Sequence, residues 1–211
     1  MTKVGSAVTS HAVGDRVFGM IFGNMGNYVR SAASVVAKIP DGRSAVDAAS
    51  MPVVYLTSLY ALQHIARLER GESVLIQSAT GGLGMAAISV AKHLGAEVYA
   101  TVGNEERRKI LTNEFGIPPT HIFNSRDLSA VDEIMRATGR RGVDVILASS
   151  PGDSMHETWR CIAPMGRFID VGRTDVLGGG QLALEVFKRN ATFSSFDISL
   201  VLRQKPAVIS R

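Results

Sequence analysis

Short apolar runs alternate with longer stretches of helical spacing through the middle of the chain. Residues 73–77 form a run of strand formers bounded by Gly71, which predicts a buried strand. Across residues 84–94, Ala87, Ile88, Ala91 and Leu94 recur near helical spacing, with Gly95 placed to cap the end. Residues 97–101 predict a second strand, and 105–115 a helix closed by Gly116 and Pro118. A short strand follows at 121–124, a helix at 130–138 and a fourth strand at 143–147. The pattern then predicts a helix at 155–162, a strand at 166–171, a short helix at 182–188 and a sixth strand at 192–198. Such alternation implies right-handed crossovers and parallel pairing. The expected fold class is therefore α/β, a Rossmann-type doubly wound parallel six-stranded sheet of order 3-2-1-4-5-6.

Upstream, residues 45–68 read as one helical stretch packed outside the sheet. Residues 13–19 read as a strand entering a turn, and 27–30 and 35–40 as further β segments. These are too few to bury a core alone, and they read as the tail of a second domain.

Composition narrows the class. The 211 residues suffice for one domain plus part of another, with 45% apolar and 20% charged residues, as in a globular protein. The net charge of +4 is mild and its cations are dispersed, so no nucleic-acid surface is expected. The densest run, Arg107-Arg108-Lys109, suits a smaller anion such as a nucleotide phosphate. One cysteine, Cys161, excludes an internal disulfide and fits a cytoplasmic setting. It falls on a predicted helix, where it is expected to be a small buried hydrophobe beside a core Trp159. The five histidines lack zinc-ligand spacing, so no metal site is expected. No apolar run reaches the roughly 18 residues of a membrane span, and residues 1–15 lack a signal-peptide pattern.

Candidate chemistry centres on residues 78–87, which read from Gly82 as G-x-G-x-x-A. In this pattern the first glycine permits a tight turn, Gly84 lets backbone approach a pyrophosphate, and Ala87 lets the helix sit close to the sheet. The helix N-terminus offers free N–H groups and partial positive charge. The bland alternative is a glycine-rich turn without a ligand. An NAD-selective site carries an acid about 20 residues past the first glycine. Here that count lands on Val102-Gly103-Asn104, with no carboxylate and with Arg107 close behind. A 2′-phosphate wants a cation, so the expected cofactor is NADPH and Arg107 its phosphate partner. Alternatively Arg107, Arg108 and Lys109 form a solvated face paired with Glu105 and Glu106.

Residues 53–62, 78–87, 99–103 and 166–172 together resemble the zinc-independent medium-chain reductases, of quinone-oxidoreductase type. Within that group the chain most resembles the enoyl reductase domain of fungal highly reducing polyketide synthases, on residues 122–127, 158–161 and 177–180. The resemblance implies a two-part fold. Residues 1–42 would be an N-terminal remnant of a β-rich GroES-like catalytic domain, 43–203 an NADPH-binding Rossmann domain and 204–211 a tail. The chain is on this ground expected to be a piece of a longer reductase. The implied reaction is hydride delivery to the β-carbon of an α,β-unsaturated thioester, carried on the phosphopantetheine arm of an acyl carrier protein, and protonation at the α-carbon. The alternatives are a stand-alone NADPH quinone or enone reductase, and a non-catalytic cofactor-binding scaffold.

Matching positions imply residue roles. Thr57 falls near the nicotinamide; its alternative is a helical threonine bonding to the turn above. Thr80, Gly81, Gly82, Leu83 and Gly84 hold the pyrophosphate. Thr101, Val102, Asn104 and Arg107 surround the 2′-phosphate. Asn124 and Arg126 lie by the adenosine, or else form a surface turn. Ser149, Val171 and Gly172 meet the nicotinamide side. Arg173 and Asp197 occupy positions where related reductases have a lysine after the fifth strand and an aspartate on the sixth. Arginine cannot donate a proton but can stabilise an enolate; the alternative is a structural ion pair. Residues 148–151 begin with Ala148 where the family usually has asparagine, a change that weakens the nicotinamide pocket. Exposed edge groups on strand 192–198 suggest a homodimer.

Overall fold

The computed structural model describes residues 1–21, 26–126, 130–205 and 207. They divide into two compact units, residues 1–56 with 198–211, and residues 57–197. Asp127, part of one quoted motif, lies outside the described residues, as do 206 and 208–211 of the expected tail.

In the first unit, β1 (Val17–Gly19) pairs antiparallel with β2 (Val36–Lys38). The strand expected at 27–30 is absent there, and Tyr28 and Val29 are exposed. The single helix expected at 45–68 is broken. α1 (Ala45–Ser50) is capped by Ser44, and α2 (Pro52–Leu59) starts afresh because Pro52 has no N–H with which to continue α1. The π-helical turn that follows α2 (Tyr60–Ile65) belongs to the second unit.

The second unit holds the sheet. Its strands are β3 (Ser73–Ile76), β4 (Glu97–Val102), β5 (Ile122–Asn124), β6 (Val143–Ala148), β7 (Ile162–Asp170) and β8 (Thr192–Ser195). All pair in parallel, in the order β5-β4-β3-β6-β7-β8, which is the expected doubly wound topology. β3 and β6 are buried throughout, as strands covered on both faces must be. Helix α3 (Gly82–Leu94) packs on β3 and β4 through Ala87, Ile88 and Ala91, and ends at Gly95 in the left-handed region (φ 81°). Helices α4 (Glu105–Asn113) and α5 (Ala130–Ala137) follow in the same half.

The other half departs from expectation in three places. α6 (Asp153–Trp159) ends at Trp159, so Cys161 lies in the turn before β7 and not on a helix. Ile162 sits three residues after Trp159 and so mimics helical spacing, yet it pairs with Val143 across an irregular stretch of β6 and β7. α7 (Thr174–Leu177) had no signal. The last strand stops at Ser195, because Ile198, Val201 and Leu202 recur at helical spacing and form α8 (Ile198–Gln204). Asp197 is therefore beyond the sheet, and the edge strand is four residues long.

The core of this half is aromatic. Trp159, fully buried, meets Phe168 and Phe193 edge-on at 5.5 and 6.0 Å, and its indole N–H donates to the Ala183 carbonyl at 3.0 Å. Cys161 is fully buried, and burial pushes its thiol up to about 12, so it stays protonated and inert.

Candidate functional site

β3 ends in a turn whose left-handed residue is Ser78 (φ 51°) and not a glycine. The turn is pinned to β4. The Ser78 N–H donates to Thr101 Oγ1 at 3.3 Å and the Ala79 N–H to the Thr101 carbonyl at 3.0 Å, while the Gly81 N–H closes on the Ser78 carbonyl at 2.8 Å. Gly81 is the N-cap of α3, and no side chain caps the helix. The first-turn N–H groups are thus left to face whatever lies beyond the helix end. Gly84 is required inside the protein, since a Cβ there would stand 2.6 Å from the Ala79 backbone. Its missing side chain seats the first turn of α3 on the loop.

Beside this helix end lies a cavity of about 180 Å³, walled by Gln77, Ser78, residues 81–84, Leu147 and Ser149. An uncapped N-terminus of a 13-residue helix over a cavity at the carboxyl ends of parallel strands fits a pyrophosphate. Thr80 is half-buried in the same loop but does not line the cavity.

The β4 side is more open. Thr101 and Val102 are buried, and the Val102 carbonyl accepts from the Ser125 N–H at 2.8 Å. Asn104 is the N-cap of α4, its Oδ1 accepting from the Arg107 N–H at 3.0 Å. Arg108 is tied to the Pro119 carbonyl and to Glu105, so it takes the structural role considered for the basic run. The exposed Arg107 guanidinium has no partner among the described residues. Asn124 Oδ1 accepts from the Arg126 N–H at 3.0 Å, an Asx turn. The Arg126 guanidinium lies over Gly103, its Nε 3.5 Å from where a Cβ would be.

At the ends of β6 and β7 the backbone packs closely. The Val171 N–H donates to the Ala148 carbonyl at 2.9 Å, and a Cβ on Gly172 would stand 2.8 Å from the Ser149 carbonyl. The buried Asp170 carboxylate accepts from the Gly172 N–H at 3.0 Å, the Arg173 N–H at 3.2 Å and the Ser195 hydroxyl at 3.1 Å. It holds Arg173 in the left-handed region (φ 60°). The Arg173 Nη1 donates to Asp197 Oδ2 at 2.9 Å, both side chains partly exposed. Thr57 is buried near the end of α2 and makes no side-chain bond back to its helix among the described residues. Thr57, Arg173 and Asp197 are not among the residues lining the cavity.

The sequence reading gave no site role to Gln77, Thr158 or Asp170, and named Ser78 only as the start of the loop motif. For Gln77 and Asp170 the one signal is a polar residue at the end of an otherwise apolar strand; Thr158, inside α6, had none. Among the described residues no cluster of three or more His, Cys, Asp or Glu could hold a metal ion. No helix among them is long and apolar enough to cross a membrane.

The sequence profile of the family described as zinc-binding dehydrogenase matches residues 82–205. The chain belongs to this family. It is 47% identical over 206 residues to the highly reducing polyketide synthase xilA of Penicillium crustosum, and 46% identical over 200 residues to prosolanapyrone synthase of Alternaria solani. These matches cover 98% and 95% of the chain but only 8% of either synthase. Among solved structures, CurK enoyl reductase is 33% identical with a TM-score of 0.87, over 99% of the chain and 61% of that chain. The nucleotide-binding subdomain of the enoylreductase domain of PpsC from Mycobacterium tuberculosis is 41% identical with a TM-score of 0.69, over 74% and 86%. The chain is thus an enoyl reductase-like domain of the polyketide synthase kind, as its motifs suggested, and the family is one of oxidoreductases.

Proposed function

We propose that the chain supplies the NADPH-binding part of an enoyl-thioester reductase, acting in the cytoplasm on substrate held by an acyl carrier protein. The observation that carries this reading is the cavity beside the uncapped α3, together with a β4 end that has no carboxylate through Asn104 and the exposed Arg107 close behind. On this reading residues 1–42 are the remnant of a GroES-like domain, and two copies pair through β8. Residues 80–84 receive the pyrophosphate at the helix end. Arg107 binds the 2′-phosphate beside Thr101, Val102 and Asn104, and Asn124 and Arg126 border the adenosine. Ser149, Val171, Gly172 and Thr57 border the nicotinamide.

NADPH, when bound, supplies the hydride. The chain's own residues orient it and manage charge. Arg173, held by Asp197, keeps a permanent positive charge that stabilises the enolate oxygen.

Titration of the chain with NADPH and NADH tests the cofactor assignment. NADPH should bind at least about tenfold tighter, since a charge-assisted phosphate contact is worth about 1.5–3 kcal/mol, and Arg107→Ala should erase most of that preference. Equal affinities in the wild type overturn the NADPH assignment, and an unchanged preference in Arg107→Ala overturns the role of Arg107. NADPH oxidation driven by crotonyl-pantetheine and not by a quinone supports the thioester substrate, and the reverse result overturns it. A monomeric mass at micromolar concentration would overturn the pairing through β8.

A further inference from the structure

Gln77 closes β3 after Val74, Leu75 and Ile76, and only 4% of its surface is exposed. A buried amide is costly unless its groups find partners. Here the Nε2 donates to Thr158 Oγ1 at 3.0 Å, and the Oε1 accepts from the Ser149 N–H at 3.1 Å and the Ser150 N–H at 3.0 Å. The Thr158 hydroxyl donates its own proton to the Ser154 carbonyl at 2.7 Å, so what it presents to Gln77 is a lone pair. That commitment fixes which way the amide points. A carboxylate would set charge against a lone pair, and an apolar side chain would leave two backbone N–H groups unpaired.

The location gives these bonds a purpose. The main-chain ladder between β3 and β6 ends where the Gln77 N–H donates to the Leu147 carbonyl at 3.1 Å. Beyond it the chains part, β3 into the left-handed turn at Ser78 and β6 toward Pro151. The Gln77 side chain extends the ladder by two residues across that gap. It holds Ser149, which lines the cavity and whose carbonyl lies against Gly172.

We propose that Gln77 is a positioning residue for the nicotinamide half of the cofactor. Its carboxamide, oriented by Thr158, fixes the Ser149–Ser150 strand end and so sets one wall of the cavity. In a sheet of this order the adenosine half lies toward β4 and the nicotinamide half toward β6. The inference rests on the reading of the cavity as the NADPH site.

The test compares dissociation constants for NADPH and for adenosine 2′,5′-bisphosphate, which carries the adenosine half alone. Gln77→Leu should weaken NADPH about tenfold or more, because unpaired buried N–H groups destabilise the wall, while the bisphosphate shifts by less than about twofold. Thr158→Val, nearly isosteric, should move NADPH the same way by a smaller factor, and carries the test if Gln77→Leu does not fold. Equal weakening of both ligands, or of neither, overturns the proposal. Failure of the wild type to bind either ligand overturns the reading of the cavity instead.

Discussion

At the amino ends of the strands, the Asp144 Oδ2 accepts from the Ser73 N–H at 2.9 Å and its hydroxyl at 2.8 Å, while Arg141 pairs with the other oxygen. Next to it Arg167 forks onto Glu72 at 2.8 and 2.6 Å and donates to the Ala66 carbonyl. At the carboxyl ends, Gln77 and Asp170 are more deeply buried, and most of their bonds run to backbone N–H groups beyond the strands. Left-handed non-glycine residues occur at both ends, Arg67 and Arg140 at the first, Ser78 and Arg173 at the second. The first end locks strand to strand and closes on itself. The second borders the cavity through Gln77, Ser78, Leu147 and Ser149. The difference teaches that strand-locking ion pairs and the cavity stand at opposite ends of one sheet, so on the proposed reading substitutions should separate stability from binding.

The largest expected effect is at the amino end. Asp144→Ala leaves the buried Ser73 N–H and hydroxyl without their acceptor, and should cost about 3 kcal/mol in urea unfolding. The folded fraction should keep its NADPH affinity. Gly84→Ala crosses the divide, because the new Cβ meets the Ala79 backbone. It should cost about 2 kcal/mol and also weaken NADPH by more than about tenfold, since the helix end itself must shift.

Acid adds a third contrast. Hydrogen bonds from Arg167 hold the Glu72 carboxyl below its ordinary range against the opposing pull of burial. Burial alone would raise Asp144, but bonds from Arg141 and Ser73 outweigh it and hold it low. Both groups are lowered in the folded state, so the unfolded chain binds protons first. Their contribution is present above the ordinary carboxyl values of 3.8 and 4.5 and is lost as pH falls through the lowered ones. Thermal melts across that range should show an acid limb that Arg167→Ala makes shallower. The smallest effect belongs to Ser78→Gly. Relief of the left-handed serine and the added freedom of glycine nearly cancel, leaving stability within about 0.5 kcal/mol. NADPH should weaken only a few-fold, about threefold, as the loop loses preorganisation.

The sequence made the sheet order legible because β3, β4 and β6 are apolar runs separated by helical spacing. It hid the start of β7, where Trp159 and Ile162 imitate a helix, and the end of β8, where helical Ile198 follows directly. Residues 81–84 were legible because glycine spacing is itself backbone chemistry. Asn104 before Glu105 is a readable helix cap that also falls where a phosphate partner is expected. Gln77 was not legible. One polar residue at a strand end carries no period, and its partners lie 72, 73 and 81 residues away.

The central claim is that the cofactor sits on the open end of α3, against the wall formed by Ser149 and Ser150. Amide hydrogen exchange with and without saturating NADPH tests this most directly. The account predicts slowed exchange at Gly82, Leu83 and Gly84 and at Ser149 and Ser150, with Ser73 and Asp144 unchanged. NADPH binding that leaves those five amides unprotected would contradict it.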